Sequence, residues 1–202
     1  MSGKGSAKGP PSKRQYRMQA RARSTEATRE AILEAVEVAF EELLYDEMTL
    51  AAIAERAGVS VQTVLRHFAS KESLFLASFL HVGSKMAADR GMVPSGDVRA
   101  IVDDLVDHYE KYGNRLLRML SQEQREPVLK QIADLGRIYH ADWCGQAFAS
   151  SLKGLRGAKR ERRLAQFVTC TDIYTWKLLR QDRGLSAKET KLAMRELMEP
   201  LI

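Results

Sequence analysis

Two pairs of side chains that commonly ligate metals are each spaced four residues apart in this 202-residue chain. Asp104 with His108, and His140 with Cys144, would each share one helix face, because residues i and i+4 are neighbours on a helix. If the two helices packed together, the four groups would converge in a pattern that fits a metal sensor. Solvated Asp-His pairs and isolated cysteines are common, however, so we predict no metal site and no cofactor.

Motifs of catalysis are absent from the sequence. It contains no phosphate-binding glycine loop placed after a strand, no G-x-S-x-G nucleophile elbow and no H-E-x-x-H zinc motif. The two cysteines, Cys144 and Cys170, are too few for a disulfide framework and lack the close Cys or His spacing of a structural zinc site. We therefore expect a protein that is not an enzyme.

Basic residues are concentrated at the N-terminus. The net charge is +6, and residues 1–23 hold seven basic side chains and no acidic one. An uncompensated cationic segment attracts a polyanion, either a nucleic acid or an anionic membrane surface. Its glycine, serine and proline content predicts that residues 1–23 form a disordered arm. A solubilising leader without a binding role is the alternative.

The spacing of apolar residues is helical from Thr25 onward and predicts an all-α fold of about nine helices. Ser24 or Thr25 would cap the first helix, Thr49 the second and Ser70 the fourth, since hydroxyl side chains accept free N–H groups at helix starts. Later helices are predicted to begin near Asp97, Pro127, Lys159 and Ser186, with breaks at Gly113 and Gly184. No apolar run is long enough to span a membrane, so we expect a cytoplasmic protein.

Glycines near the end of the fourth helix predict a domain boundary. Gly83, followed by the glycine-rich stretch 91–96, weakens that helix and places the boundary near residue 85. Residues 24–85 would then form a three-helix N-terminal domain. Residues 86–202 would form a larger helical domain.

The chain from Leu50 to Ser60 has the pattern that two packed helices joined by a three-residue turn require. Ala54 is small enough for close helix approach, and Gly58 can adopt the left-handed conformation that ends a helix. Ser60 can cap a third helix running from Val61 to Phe68. The N-terminal half of that helix would be exposed and could enter a DNA major groove.

The stretch Thr49 to Phe75, TLAAIAERAGVSVQTVLRHFASKESLF, resembles the DNA-binding domain of the TetR family of bacterial transcriptional regulators. The resemblance covers about residues 25–82. It implies a helix-turn-helix that contacts DNA bases and phosphates through Thr49, Val61, Gln62, Thr63, Leu65, Arg66, His67 and Lys71. The family commonly has a tyrosine where this chain has Leu65, so an apolar contact to a thymine methyl would replace a phenolic contact.

Charge balance suggests a role for the basic arm. Residues 24–90 hold six basic and eleven acidic side chains, which is a poor balance for attracting phosphate. We hypothesise that the arm follows the DNA backbone or enters the minor groove through Arg14, Arg17, Arg21 and Arg23.

The resemblance also implies that residues 86–202 bind a small-molecule effector and form a homodimer. Aromatic and polar residues that could line a cavity are His108, Tyr109, Tyr112, Tyr139, Trp143, Phe167, Cys170 and Tyr174. Core packing is the alternative role for each of them. The predicted dimer interface uses the last two helices through Leu164, Phe167, Ile173, Trp176, Leu179, Met194, Leu197, Met198 and Leu201.

Together these features predict a homodimeric regulator, most often a repressor in such families, that leaves a palindromic operator when an effector binds. An architectural DNA-binding protein of low specificity that relies on its basic tail is the alternative. The basic run Lys159 to Arg163 is interpreted as a solvated helix start in preference to a second nucleic-acid site.

Overall fold

The computed structural model describes residues 13–89 and 95–202, and it places the side chains of residues 17–86 and 95–202. Over these ranges the chain contains α-helices, a π-helical turn and a 3-10 turn, and no strand. The α-helices are α1 (Lys13–Glu42), α2 (Leu50–Arg56), α3 (Val61–Phe68), α4 (Lys71–Asp89), α5 (Val98–Leu120), α6 (Pro127–Ala147), α7 (Ala149–Leu152), α8 (Gly157–Cys170), α9 (Ile173–Lys177) and α10 (Ala187–Met198). The all-α prediction is confirmed.

The chain divides into two compact units within α4. The first unit ends at Leu74 and the second begins at Phe75. The boundary expected from the glycine pattern, near residue 85, lies further along the same helix. Gly83 does not end α4, which continues to Asp89.

Helix α1 starts earlier than the sequence pattern predicts. It begins at Lys13, so the predicted disorder is wrong for residues 13–23, and Ser24 and Thr25 lie inside the helix instead of capping it. Residues 13–23 contain no glycine or proline and are rich in Ala, Arg, Gln and Met, which are strong helix formers. This local preference outweighs the cap signal at residue 24. Residues 1–12 lie outside the described residues.

The predicted caps around the short helices are confirmed. Thr49 accepts a hydrogen bond from the Ala52 N–H at 3.1 Å, and Ser60 accepts one from the Thr63 N–H at 3.1 Å. Gly58 ends the turn after α2 with a φ of 66°, a conformation that side chains with a Cβ rarely adopt. Ile53, Ala54, Val64 and Phe68 are buried between α1, α2 and α3.

The second unit encloses its own core among α5, α6, α8, α9 and α10. Its centre is a stacked pair of rings, Phe148 and Phe167, whose centroids are 4.1 Å apart. The predicted helix break at Gly113 is wrong, because α5 runs through it to Leu120. Gly113 is required for close packing, since a Cβ there would lie 2.6 Å from the Trp176 ring.

The helices predicted to begin near Pro127 and Lys159 are each divided. Phe148 separates α6 from α7, and Thr171 with Asp172 separates α8 from α9, after which a π-helical turn covers Leu178–Asp182. Asp172 caps α9 by accepting a hydrogen bond from the Tyr174 N–H at 2.8 Å. The hydrophobic period continues across both breaks, which explains why the sequence pattern does not reveal them.

The beginnings of three further helices follow the prediction. Asp97 accepts a hydrogen bond from the Ala100 N–H at the start of α5, and Pro127 is the first residue of α6. Ser186 and Glu189 form a reciprocal capping box at the start of α10. None of the helices among residues 13–89 and 95–202 is long and apolar enough to cross a membrane.

Candidate nucleic-acid interface and cavity

One face of helix α3 is exposed to solvent, and it carries both polar and apolar side chains. Val61, Gln62, Leu65 and Arg66 are exposed, while Val64 on the opposite side is fully buried. This separation follows from the helical period, which places residues 61, 62, 65 and 66 together and turns residues 64 and 68 toward α1 and α2. The major groove of B-DNA is wide enough to admit an α-helix, so this face of α3 can lie in one.

At the edges of this face, three side chains already contact other residues of the protein. The Thr63 side chain lies 3.0 Å from the Ser60 hydroxyl, and the half-buried His67 ring packs 6.0 Å from the Phe68 ring. The Lys71 ammonium donates a hydrogen bond to the Tyr45 carbonyl at 2.5 Å and lies 4.1 Å from the centre of the Tyr45 ring. A phosphate contact by Lys71 stays a prediction, and it would require this ammonium to exchange partners.

The described part of the basic arm is an exposed helix. Arg17, Arg21 and Arg23 are exposed on α1. Arg17 and Arg21 are one helical turn apart and share a face. The side chain of Arg14 lies outside the described residues. These guanidinium groups can meet phosphates, and they would do so from a helix instead of a disordered segment.

A cavity of about 480 Å³ lies within the second unit, between α4, α5, α6 and the α8–α9 break. Its volume is in the range of small-molecule sites. Apolar side chains form most of its wall, including Leu76, Phe79, Leu80, Met86, Leu116, Met119, Leu120, Ile132, Leu135 and Ile173.

Five of the eight predicted ligand residues line this cavity, namely His108, Tyr109, Tyr112, Tyr139 and Tyr174. The other three lie elsewhere. Phe167 is buried in the core stack, Trp143 packs against the His140 ring, and Cys170 lines a groove between α8 and α10. Burial raises the pKa of the Cys170 thiol above its ordinary value.

The positive charge of Arg137 on the cavity wall is already compensated. Its guanidinium donates to both Glu123 oxygens at 2.6 and 2.7 Å and to Asp134 at 2.9 Å. The hydrogen bond to Glu123 raises the pKa of Arg137. The Lys130 ammonium, with Arg137, lowers the pKa of Asp134. Arg137 therefore orients its neighbours more readily than it binds an anionic ligand.

A hydrogen-bonded cluster joins the cavity wall to the α8–α9 break. The Thr171 hydroxyl donates to the Phe167 carbonyl at 2.7 Å, so its oxygen can accept from His140 Nε2 at 3.1 Å and from the Cys144 thiol at 3.2 Å. The Tyr109 hydroxyl donates to the Thr171 carbonyl at 2.9 Å. His140 and Cys144, which have metal-ligand spacing, instead meet at this threonine. Among the described residues, no three His, Cys, Asp or Glu side chains form a group that could hold a metal.

The predicted dimer residues divide into a buried and an exposed set. Phe167, Ile173, Trp176, Met194 and Met198 are covered by the chain's own core, so they are not presented to a partner. Helical periodicity identifies every apolar face and does not say which face remains uncovered. Leu197 is 49% exposed, and Leu164, Leu179 and Leu201 are partly exposed.

Additional apolar residues are exposed on the same elements. Tyr174, Leu178 and Leu192 lie on α9, the π-helical turn and α10. Leu197 and Leu201 also line the shallow groove beside Cys170. Tyr174, Leu178 and Leu192 are not among the residues predicted for the interface, although their apolar character is visible in the sequence.

Comparison with known proteins finds a described family that is similar to residues 32–78. This segment, from the middle of α1 into α4, matches the sequence model of bacterial regulatory proteins, tetR family. This part of the chain is therefore similar to the TetR family. The match contains α2, the turn and α3, and thus the whole exposed face described above.

A curated relative is similar over a longer stretch of the chain. The chain is 33% identical over 113 residues to the uncharacterised HTH-type transcriptional regulator YdeS of Bacillus subtilis (strain 168). The match covers 56% of this chain and 52% of YdeS. The chain therefore matches about half the length of this relative.

Solved structures share the fold over most of the chain. A transcriptional regulator from Rhodococcus sp. Rha1 superposes with a TM-score of 0.63 at 18% identity, covering 88% of this chain and 95% of that one. A Rhodococcus sp. protein named for the TetR family gives 0.61 at 17% identity, covering 87% and 98%. At these identities the likeness shows a common all-helical fold.

Sequence reasoning finds the segment that matches the tetR-family model but misses much of the cavity. Leu76, Phe79 and Leu80 of α4 line the cavity. The sequence identifies them as helix residues but does not indicate that they line a ligand site. The spacing of His140 suggests a metal ligand and gives no sign of a cavity wall. The apolar face of α4 is visible as a pattern, but its position beside α5 and α6 depends on tertiary packing.

Proposed function

We propose that this protein is a homodimeric, sequence-specific DNA-binding transcriptional regulator whose operator affinity is changed by a small molecule bound in the second unit. The observation that carries the proposal is the exposed face of α3, held by the Ser60 cap and the Gly58 turn within the TetR-family segment. The proposal needs no enzymatic activity and no cofactor. A cytoplasmic location is part of it, because such a regulator acts on chromosomal DNA.

The DNA contacts are assigned from exposure and chemistry. Gln62 can read an adenine edge and Arg66 a guanine edge, while Leu65 can contact a thymine methyl. Thr49, at the start of α2, lies where backbone N–H groups favour a phosphate. Arg17 and Arg21 on α1 would add phosphate contacts that the acidic balance of residues 24–90 does not supply.

The effector is expected to be a largely apolar small molecule with a few hydrogen-bonding groups. The cavity wall is mostly apolar, and its polar groups include His108, Tyr112 and His140. Arg137 is neutralised by Glu123 and Asp134, which disfavours an effector recognised mainly by that cation. Helix α4 lines the cavity beyond Phe75 and begins next to α3 in sequence, so it can transmit a change of state.

Repression released by the effector is the regulatory mode that we propose. An effector lowers DNA affinity only if it binds more tightly to a conformation with lower DNA affinity. Two recognition helices in a twofold dimer would fit a palindromic operator. The exposed apolar side chains of α9, the π-helical turn and α10 provide the surface for that dimer.

Selection of bound duplexes from a random DNA pool tests the proposal. We would use about 150 mM salt, so that nonspecific phosphate attraction is suppressed. A recovered palindromic motif, with affinity reduced in Gln62→Ala and Arg66→Ala, is the expected result. The control is Gln124→Ala, at an exposed position of the second unit.

A low-specificity architectural protein is the second candidate, supported by the seven basic residues before residue 24. It predicts recovery of no motif and binding that disappears as salt rises. Removing residues 1–20 would abolish binding in this case. In a specific regulator the same deletion would reduce the salt slope and leave the recovered motif unchanged.

A further inference from the structure

The net positive charge of the second unit is concentrated in eleven consecutive residues. Residues 75–202 contain 21 basic and 16 acidic side chains, and residues 153–163 hold six of the basic and one of the acidic. The remainder of the unit is therefore electrically balanced. The six cations are Lys153, Arg156, Lys159, Arg160, Arg162 and Arg163.

The segment is an exposed turn followed by the start of α8. Gly154 and Gly157 have φ angles of 82° and 52°, and a Cβ at either would meet no other group within 4 Å. Five of the six cations are exposed, and Arg163 is partly buried. Among the described side chains, those of residues 17–86 and 95–202, no acidic group forms an ion pair with any of the six.

Internal stability does not account for this arrangement. A helix start favours acidic side chains, because its dipole is positive there. Helix α8 has no acidic residue in its first turn and no side-chain cap at Arg156. Arg163 alone among the six has an internal role, since it donates hydrogen bonds to Gln166 and to the Leu201 carbonyl. The other five have no such internal role, from which we infer a binding partner outside the chain.

The chemistry of the segment favours phosphate over a protein or lipid partner. No large apolar side chain is exposed between residues 153 and 163. Protein interfaces depend on buried aromatic or aliphatic anchors, and membrane-bound helices need an apolar face. The apolar side of α8 is already used, since Phe167 is buried in the core. Arginine forks pair well with phosphate oxygens.

We propose that residues 153–163 form a second binding surface for the phosphate backbone of duplex DNA, separate from α3 and independent of any operator sequence. The phosphates can belong to DNA flanking the site held by the first unit or to another duplex. This surface exists whether or not the protein is a sequence-specific regulator.

The test compares two variants of the full chain with the same loss of charge. The segment variant is Lys153→Gln, Arg156→Gln, Lys159→Gln and Arg160→Gln; Arg162 and Arg163 are kept because they line the α8–α10 groove or hold Leu201. The control is Arg99→Gln, Arg125→Gln, Arg183→Gln and Lys188→Gln, four exposed cations elsewhere in the unit. Equal thermal midpoints would establish that both variants fold.

Two measurements distinguish the source of phosphate. The first is the salt dependence of binding to a random-sequence duplex, whose logarithmic slope falls by about 0.9 for each phosphate that the protein no longer neutralises. If the slope is reduced by about 2 to 4 in the segment variant and not in the control, the phosphates belong to flanking DNA. The second is recruitment of a labelled duplex to protein that is already held by an immobilised unlabelled duplex, with no unlabelled duplex left free in solution. Loss of this recruitment in the segment variant, and not in the control, indicates a separate duplex.

The proposal is overturned if the segment variant matches the control in both assays. It is also overturned if phosphatidylserine vesicles bind the wild type, binding to vesicles disappears in the segment variant, and DNA binding does not change. Because both duplexes have random sequence, a failure to select an operator motif would leave these results unaffected.

Discussion

At the residue scale, small differences in side-chain size decide how the second unit packs. Gly113 lies against the Trp176 ring, and the Trp176 indole N–H donates to Glu110 at 3.1 Å. Arg180 also donates to Glu110, at 3.0 Å, so this contact region is held by both packing and charge. The absence of a side chain at residue 113 is what allows α5 and α9 to approach.

Gly113→Ala should destabilise the protein by about 1 to 3 kcal/mol, because the added methyl group would overlap the Trp176 ring. The measurement is the urea-unfolding midpoint. Gly145→Ala is the matched control: it lies in α6, and a Cβ there would meet no other group within 4 Å. We expect the control to stabilise the protein by about 0.5 to 1 kcal/mol, since alanine favours helix. Equal effects of the two changes would contradict the packing argument.

At the element scale, local capping determines where several helices begin. Ser60 at α3 and Ser186 at α10 both accept backbone N–H hydrogen bonds at predicted positions. The Glu189 carboxylate accepts a hydrogen bond from the Ser186 N–H at 3.0 Å. That backbone hydrogen bond lowers the pKa of Glu189 below its ordinary value of 4.5. The ionised carboxylate is thus the form that stabilises the start of α10.

Glu189→Gln should change how stability depends on pH. A group whose pKa is lower in the folded protein stabilises it above the unfolded-state pKa, and this contribution is lost as the pH falls. The wild type should therefore exceed the variant in stability at pH 7, and the difference should shrink as the pH drops below 4.5. Thermal unfolding from about pH 7 to about pH 3 measures it. Glu196→Gln, at an exposed position of the same helix, is the control. A difference that is constant with pH would contradict the assignment.

At the scale of the whole molecule, the second unit combines an apolar cavity with an uncovered apolar surface. The cavity wall reaches the α8–α9 break through His140 and Thr171. The exposed side chains Tyr174 and Leu178 follow that break in the chain. An effector could therefore influence the proposed dimer surface through a short run of direct contacts.

Gly136→Phe should fill part of the cavity and weaken binding of an apolar probe. Gly136 lines the cavity, and its Cβ position is open. Fluorescence titration with anilinonaphthalene sulfonate should give an affinity at least about tenfold lower, equivalent to about 1.4 kcal/mol. Gly145→Phe introduces the same side chain into the same helix away from the cavity wall, and should leave the affinity unchanged. Equal weakening in both variants would remove the cavity as the dye site.

Leu197→Glu should dissociate the proposed dimer. Leu197 is 49% exposed on α10, so the charge would be tolerated in the monomer but would be costly in an apolar interface. Sedimentation velocity should show a monomer at concentrations where the wild type is dimeric, with weaker binding to a palindromic duplex. Ile138→Glu, at an exposed position of α6, is the control. A dimer that persists in Leu197→Glu would contradict this location for the interface.

Features that depend on neighbouring residues could be predicted from the sequence. The all-helical class, the caps at Thr49, Ser60 and Ser186, and the exposed face of α3 follow from short-range hydrogen bonding and helical period. Local information also misled at the N-terminus, where the cap signal at Ser24 was weaker than the helix preference of residues 13–23.

Contacts between distant parts of the chain determine which apolar faces become core, cavity or surface. Phe167 and Leu197 have the same helical pattern, but the first is buried and the second is half exposed. Gly113 carries a local helix-breaking signal, but packing against Trp176 keeps it inside α5. Such outcomes depend on contacts between residues distant in sequence, and the period of one helix contains no information about its neighbours.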